Sequence, residues 1–298
     1  MHDDPILTTI LAALTLISAA AFILSVGRLV GRFRSSSTHV LMRCLTGVCA
    51  LGAAALFIHA AVFIHGDWRP LQAHVDGLLL VAALLGGTIV FLQGPSRLPG
   101  ISTFALPVLT FVLAWAICAS RWTYFRFETD KGTMASVWQT VHLLGVYAGT
   151  IFVSIAAVAG GMYLYVQRRL RRKRDSAGGP MASLEAIERW IIHTSTAGFA
   201  MLTLGVASGI VIATSGPTVM GPHWWYSSKF VLSFVVWVIY ALLMNVRHAT
   251  AFRGRRAAWL SVAGLVLLLA TFGIAVSLAI HAEHTPVNSD AAVIMEDR

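Results

Sequence analysis

Apolar runs of about 20 residues recur along the whole chain, and they restrict its possible folds more than any other feature. A run of this length matches a helix that crosses the hydrocarbon core of a bilayer. Backbone groups in lipid must be hydrogen-bonded within their own segment, so each run should be helical. The sequence therefore predicts an all-α, polytopic membrane protein with about eight transmembrane helices. The runs lie roughly at residues 6–27, 40–64, 74–92, 103–119, 135–166, 187–213, 229–248 and 257–281.

The composition agrees with a membrane protein, since 57% of the residues are hydrophobic and only 12% are charged. No connection between the runs is long enough for a separate soluble domain. We expect one integral membrane domain, made of an N-terminal four-helix part (1–120) and a C-terminal four-helix part (121–298). Membrane lipid is then a partner. A nucleic-acid partner is excluded, because the net charge of +9 is not carried by a folded polar domain.

Basic residues concentrate in alternate connections, which predicts the orientation of the chain. These connections should face the cytoplasm, with both termini outside, in the cytoplasmic (inner) membrane of a bacterium. We interpret the run 168–174 as a topology signal within a flexible linker that extends to Pro180; contact with anionic lipid is the alternative. The basic residues concerned are Arg28, Arg32, Arg34, Arg97, Arg168, Arg169, Arg171, Arg172, Lys173, Arg174, Arg247, Arg253, Arg255 and Arg256.

Histidines collect on the opposite side. Intramembrane polar groups are costly and usually face a partner or a cavity. For any single histidine the ordinary role is an interfacial side chain bonded to a carbonyl. The number of these histidines, and the depth of His59 and His142, favour a ligand role. The histidines on or near the outer face are His2, His59, His65, His74, His142, His223, His281 and His284.

Two glycines share a helical face with His142, namely Gly145 and Gly149. Such a strip leaves room for a planar ring against the helix, or it lets a second helix approach closely. The pair Gly205 and Gly209 has the same small-residue spacing. For the glycines we favour helix packing.

The connection 221–229, Gly-Pro-His-Trp-Trp-Tyr-Ser-Ser-Lys, joins two apolar runs. Adjacent aromatic rings beside a histidine at a membrane surface suit a flat, apolar, metal-centred cofactor. They equally suit an interfacial belt that anchors helices. Haem iron takes axial histidine and its propionates attract cations. Outward cations that could supply these contacts are Arg69, Arg121, Arg126, Lys131 and Lys229.

Carboxylates are scarce, and Asp76 is the only acidic residue well inside a span. This argues against an ion-coupled transporter, which carries membrane-embedded carboxylates. It also argues against catalysis by paired carboxylates. Since the chain has no recognisable catalytic motif, we expect that it is not an enzyme.

Several segments resemble the cytochrome c assembly proteins, the CcsA/CcmC-like haem-handling family, and most closely its eight-helix HemX/YpjD branch. The resemblance covers roughly residues 135–281. It rests on Val141-His142-Leu143-Leu144, Leu184–Arg189, Tyr226–Lys229, Trp237–Ala241, Phe252–Trp259 and Phe272-Gly273.

The resemblance implies a haem site on the outer face, formed by a loop of pattern Trp-x-Trp-Asp-Pro-Lys and by flanking histidines. His142 matches the upstream ligand, His281 or His284 lies within a residue or two of the downstream one, and His59 resembles a second-helix histidine. The loop positions are matched by Trp224, Tyr226 and Lys229, with Trp225 between them. The chain departs from the pattern at Ser227 and Ser228, in place of Asp-Pro, and at Asn245, in place of an intramembrane histidine.

Three hypotheses follow. In the first, the protein binds haem b, with His142 and either His281 or His284 on the iron, for haem handling or cytochrome c maturation beside other maturation or respiratory-complex subunits. In the second, it is a cofactor-free accessory subunit or scaffold with the same fold, as the departures suggest. In the third, it is a b-type cytochrome subunit that exchanges electrons with quinone and uses His59, His142 and a deeper His193.

Overall fold

The computed structural model describes most of the chain, with gaps at several connections and at both ends. The described residues are 5–30, 35–64, 74–94, 98–122, 133–172, 181–215, 224–226, 228–245 and 254–284. In the last helix, side chains are described as far as residue 270.

Eight α-helices make up nearly all of these residues, and no strand occurs among them. The all-α fold is therefore confirmed, and each helix coincides with a predicted run to within a few residues. A π-helical turn, Ala60–Ile64, continues α2, and a 3-10 turn, Trp224–Tyr226, precedes α7. The helices are α1 Pro5–Leu29, α2 Ser36–His59, α3 His74–Leu92, α4 Ser102–Trp122, α5 Thr133–Arg171, α6 Leu184–Ser215, α7 Ser228–Asn245 and α8 Arg255–His284.

The helices α1 to α6 are each long and apolar enough to cross a membrane. In α7 the described apolar stretch is shorter, Ser233–Leu242. The chain is thus a polytopic membrane protein. Eight crossings, and termini on the outside, stay predictions.

The helices pack in two rings of four that share one seam. In the first ring α1 contacts α2 and α4, and α3 contacts the same two helices. In the second ring α5 contacts α6 and α8, and α7 contacts the same two. The seam consists of α5 against α3 and α4. A division near residue 120 stays a prediction.

Successive helices run in opposite directions, so the molecule has two ends. On α1 and α4, Ser18 Oγ lies 2.8 Å from Thr110 Oγ1 and Ser25 Oγ lies 2.6 Å from Thr103 Oγ1, which fixes an antiparallel register. We call the end where α1, α3, α5 and α7 finish the basic end. The opposite end, where α2, α4, α6 and α8 finish, is the histidine end.

The basic run 168–174 begins within a helix and not in a linker, whereas the predicted linker residues 175–180 lie outside the described part. Helix α5 has 39 residues and carries Arg168, Arg169 and Arg171 in its last turn. Arginine is a good helix former, and positive charge near a helix C-terminus interacts favourably with the helix dipole. At 1.5 Å per residue α5 is about 58 Å long, nearly twice the thickness of a bilayer core.

Candidate functional site

The histidine end of α5 and α6 is built on contact between glycines. A Cβ added to Gly145 would lie 2.8 Å from the Gly205 nitrogen and 3.0 Å from the Met201 oxygen. A Cβ on Gly149 would lie 2.8 Å from Leu202 Cδ2. The prediction that these glycines serve helix packing is confirmed. The space that a planar ring would have used is occupied by α6.

His142 lies one turn from Gly145 and points into the same interface. Its Nδ1 is 2.7 Å from the carbonyl oxygen of Gly205. The ring rests on Gly209, where an added Cβ would be 3.1 Å from Cε1. Ser208 Oγ donates to the Gly205 oxygen as well, at 3.0 Å. The imidazole is therefore fixed in position by α6.

This hydrogen bond determines which nitrogen of His142 can bind a metal. A carbonyl oxygen only accepts, so Nδ1 carries the hydrogen and the lone pair of the neutral ring lies on Nε2. Histidine ligands in metalloproteins are commonly oriented in this way by a carbonyl on the other nitrogen. The same geometry also fits the ordinary role of such a residue, that of an interfacial histidine bonded to a carbonyl. The Gly205 carbonyl is a functional group that the sequence did not reveal.

The contact of α5 with α8 fixes how far His281 and His284 lie along the bundle. Gly160 packs against Ala258 and Ser261, and the Tyr163 hydroxyl packs against Gly254, whose φ of 69° favours glycine. His142 lies 18 residues before Gly160, and the same step along antiparallel α8 reaches residues 276–279. Along the bundle axis, the backbone of His281 thus lies within about one helical turn of His142. The backbone of His284 lies about one turn further toward the histidine end. The side chains of both lie outside the described part.

The aromatic turn Trp224–Tyr226 joins α6 to α7 at the histidine end. The side chains of Trp225 and Tyr226 are 48% and 76% exposed, and their rings meet edge to face at 6.1 Å. For Trp224 and Lys229 only the backbone is described. The turn lies at the same end as His142. Its exposed rings can cover a ligand or sit in the membrane interface.

An aromatic ladder runs from this turn into the bundle. On α7, Phe230 stacks on Phe234 at 6.3 Å and Phe234 on Trp237 at 5.7 Å. Trp237 then meets Phe199 of α6 at 5.5 Å, and its Nε1 donates to Thr203 Oγ1 at 2.9 Å. This unit was not predicted from the sequence, although the spacing of its α7 members is that of one helical face.

The structure separates His59 from His142. His59 is exposed at the end of α2, which packs on α1 and α3, whereas His142 is in the second ring. His193 is exposed on α6 toward the basic end. Within the described ranges, no group of three or more His, Cys, Asp or Glu side chains could hold a metal ion. The ligand pairs that the quinone hypothesis needs are not brought together here.

Comparison with known proteins identifies the family of the chain. A model of the family "Cytochrome C assembly protein" matches residues 71–281, and so reaches further toward the N-terminus than the motifs at 135–281 suggested. The inner membrane protein YpjD of Escherichia coli K12 is 26% identical over 242 residues, which is 78% of this chain and 84% of YpjD. The cytochrome c biogenesis protein CcsA of Synechococcus RCC307 is 22% identical over 288 residues, 89% of this chain and 90% of CcsA. CcsA of Prochlorococcus marinus MIT 9303 is 32% identical over 200 residues, 58% and 62%. No solved structure matches.

Proposed function

Since the chain belongs to the cytochrome c assembly protein family, we propose that it binds haem b at its histidine end and serves cytochrome c maturation. It is a multi-pass protein of the bacterial inner membrane. Its partners would be other maturation or respiratory-complex subunits. The family membership supports the maturation role, and the geometry of His142 supports the haem.

The observation that carries the proposal is the hydrogen bond from His142 Nδ1 to the Gly205 carbonyl. It leaves the Nε2 lone pair for the iron and prevents the ring from turning. Either His281 or His284 would supply the second axial nitrogen, since α8 brings this part of its backbone near the level of His142. Haem, when bound, would supply a redox-active iron between these two ligands.

The aromatic turn would cover the ring. Trp224, Trp225 and Tyr226 offer apolar surface at the correct end of the bundle, and the ammonium of Lys229 would pair with a propionate. We do not assign His59 as the second axial ligand beside His142, because His59 lies in the other ring of helices.

An absorption spectrum with a pyridine haemochrome assay on the detergent-purified protein tests the proposal. Protein from haem-replete cells should show the Soret and α bands of a low-spin, bis-histidine haem b. His142→Ala should lose the low-spin bands, and added imidazole should restore them. The matched control is His193→Ala, which removes an exposed histidine from the other end of α6 and should keep the spectrum.

One observation favours a second function, that of a cofactor-free scaffold. The His142 ring is packed between two helices and bonded to one of them, so it also joins α5 to α6. Haem-free protein from haem-replete cells would contradict the haem proposal. If His142→Ala then lowered the unfolding temperature without any spectral change, the scaffold function would stand.

A further inference from the structure

Trp138 lies one helical turn before His142 on α5, at the histidine end. Residues three and four apart share one face of a helix, so Trp138 and His142 belong to the same stripe as Gly145 and Gly149. Added Cβ atoms on both glycines would meet α6, which shows that the stripe faces α6. Trp138 therefore lies on a helix-packing face, about 6 Å further out along α5 than His142.

The indole of Trp138 nevertheless keeps an uncovered surface, because Trp138 is 39% exposed. Trp237, by comparison, stacks on Phe234 and donates to Thr203. Aromatic side chains contribute through the large area that they bury and through ring contacts. The bundle thus leaves apolar ring surface of Trp138 for a further contact.

On its face toward α5, helix α6 has small residues at the level of Trp138. Gly145 meets Gly205 and the two helices are antiparallel, so Trp138, seven residues before Gly145, is level with the segment just before Ala213. Gly209 and Ala213 continue the face of Gly205 at a spacing of four residues, and Ala213 is buried. Neither side chain is larger than a methyl group, so these residues cannot cover the whole indole.

A metal can approach His142 only from the side of the ring that is turned away from α6. Nδ1 is 2.7 Å from the Gly205 oxygen, and Gly209 lies against Cε1 and Nδ1. The lone pair on Nε2 is the remaining ligand position. A porphyrin ligated there is wider than one helical turn of about 5.4 Å, so the side chain one turn away, Trp138, is within its reach.

The ordinary role of an exposed tryptophan at this level is that of an interfacial anchor. An anchoring ring points away from the bundle and into the head groups. The position of Trp138 on the stripe that faces α6 does not suit that role. It suits contact with a ligand that lies beside His142 at the outer end of the α5–α6 interface.

We propose that Trp138 is part of the haem site, with its indole against the face of the haem that His142 ligates. This inference rests on the proposed function and deepens it, because Trp138 would bind the ring without bonding to the iron. The aromatic turn Trp224–Tyr226 lies at the same end, so the site would take aromatic side chains from two elements. Loss of the indole would remove apolar contact and leave the axial nitrogens in place.

The rate of haem loss from the detergent-purified protein tests the proposal, with transfer to an excess of apomyoglobin followed in the Soret band. Trp138→Ala should keep the low-spin bands and lose its haem about tenfold faster than the wild type, since an aromatic ring contact contributes about this factor. Trp138→Phe keeps a ring and should fall between the two. The matched control is Trp259→Ala, which removes a 47% exposed indole from α8 near the basic end and should leave the rate unchanged.

Three outcomes would overturn the inference while the wild type still holds haem. Haem loss from Trp138→Ala at the wild-type rate would leave Trp138 as an interfacial anchor. A change to high-spin bands would show that the indole acts on the position of His142 and not on the haem. Equal acceleration in Trp259→Ala would show a general effect of removing an exposed indole. If Trp138→Ala retains too little haem for a rate, Trp138→Phe against the wild type decides. Haem-free wild-type protein would overturn the proposed function and this inference together.

Discussion

The α5–α6 hairpin and the α1–α2 hairpin use glycine in different ways. In α5–α6, a Cβ on Gly145 would meet backbone atoms of Gly205 and Met201. In α1–α2, the three atoms nearest to a Cβ added at Gly52 all belong to the end of the Leu14 side chain. A backbone contact sets a fixed helix separation, whereas a leucine methyl can move aside. Glycine therefore fixes the helix separation in the α5–α6 hairpin and leaves it adjustable in the α1–α2 hairpin.

The helices of the two hairpins also differ in how much of each is buried in the bundle. In the apolar part of α5 72% of the residues are buried, against 28% in α1, 33% in α2 and 28% in α6, so α5 is the helix that the rest of the bundle surrounds. A fixed α5–α6 distance keeps His142 within hydrogen-bonding range of Gly205 O. A loosely packed α1 leaves much of its surface to lipid; its Arg28 Nη1 has no hydrogen-bond partner among the described residues.

The largest effect is expected for Gly145→Ala, which forces the two backbones apart. Overpacking of this kind costs about 1–3 kcal/mol. Thermal unfolding in detergent should show a clear loss of stability, and the haem spectrum should weaken with it. The controls are on the other hairpin: Gly52→Ala, where Leu14 can yield, and Gly47→Ala, which has nothing within 4 Å of its added Cβ. If all three variants unfold at the same temperature, the two hairpins do not differ in the way described.

A smaller effect is expected for Trp237→Phe in the aromatic ladder. The ring stacking can persist, but the hydrogen bond from Nε1 to Thr203 Oγ1 is lost. A hydrogen bond of this kind contributes about 1 kcal/mol to stability. The unfolding free energy should fall by that amount, while Trp259→Phe, at a half-exposed position on α8, should change little. Equal changes in the two variants would assign the ladder no structural role beyond that of a lipid-facing aromatic.

The smallest effect is expected for Ser25→Ala in the first ring. Ser25 Oγ reaches Thr103 Oγ1 at 2.6 Å and Ser102 Oγ at 3.2 Å, and so joins α1 to α4. Hydrogen bonds between membrane helices contribute about 0.6 kcal/mol on average. Ser120→Ala is the control, because the hydrogen bond that Ser120 makes in the described part stays within its own helix, to the Ile117 oxygen. A loss as large as that of Gly145→Ala would show that the first ring is as rigid as the second.

The helices were predictable because run length and composition report burial in lipid directly. Helix α3, expected at 74–92, spans His74–Leu92. The glycine spacing after His142 also predicted which face of α5 packs. By contrast, the partner of His142 is a backbone carbonyl 63 residues away. Because every residue type has a backbone carbonyl, no sequence pattern identifies this partner.

Charged residues were less predictable, because one positive charge serves several purposes. Arg168 was expected in a linker and lies in a helix, since its propensity and the helix dipole favour helix continuation there. Arg28 was interpreted as a topology signal, and only the packing of α1 shows that one of its nitrogens is buried.

The length of α5 fixes how far His142 lies from Arg168 across the membrane. From His142 to Arg168 there are 26 residues of continuous helix, or about 39 Å along the axis. A tilt of about 20° still leaves about 37 Å, more than the ~30 Å of the hydrocarbon core. With Arg168 among the head groups of one leaflet, the imidazole of His142 reaches those of the other. A group bound there would meet water-borne partners directly, and electrons or ligands would reach it without passing through lipid.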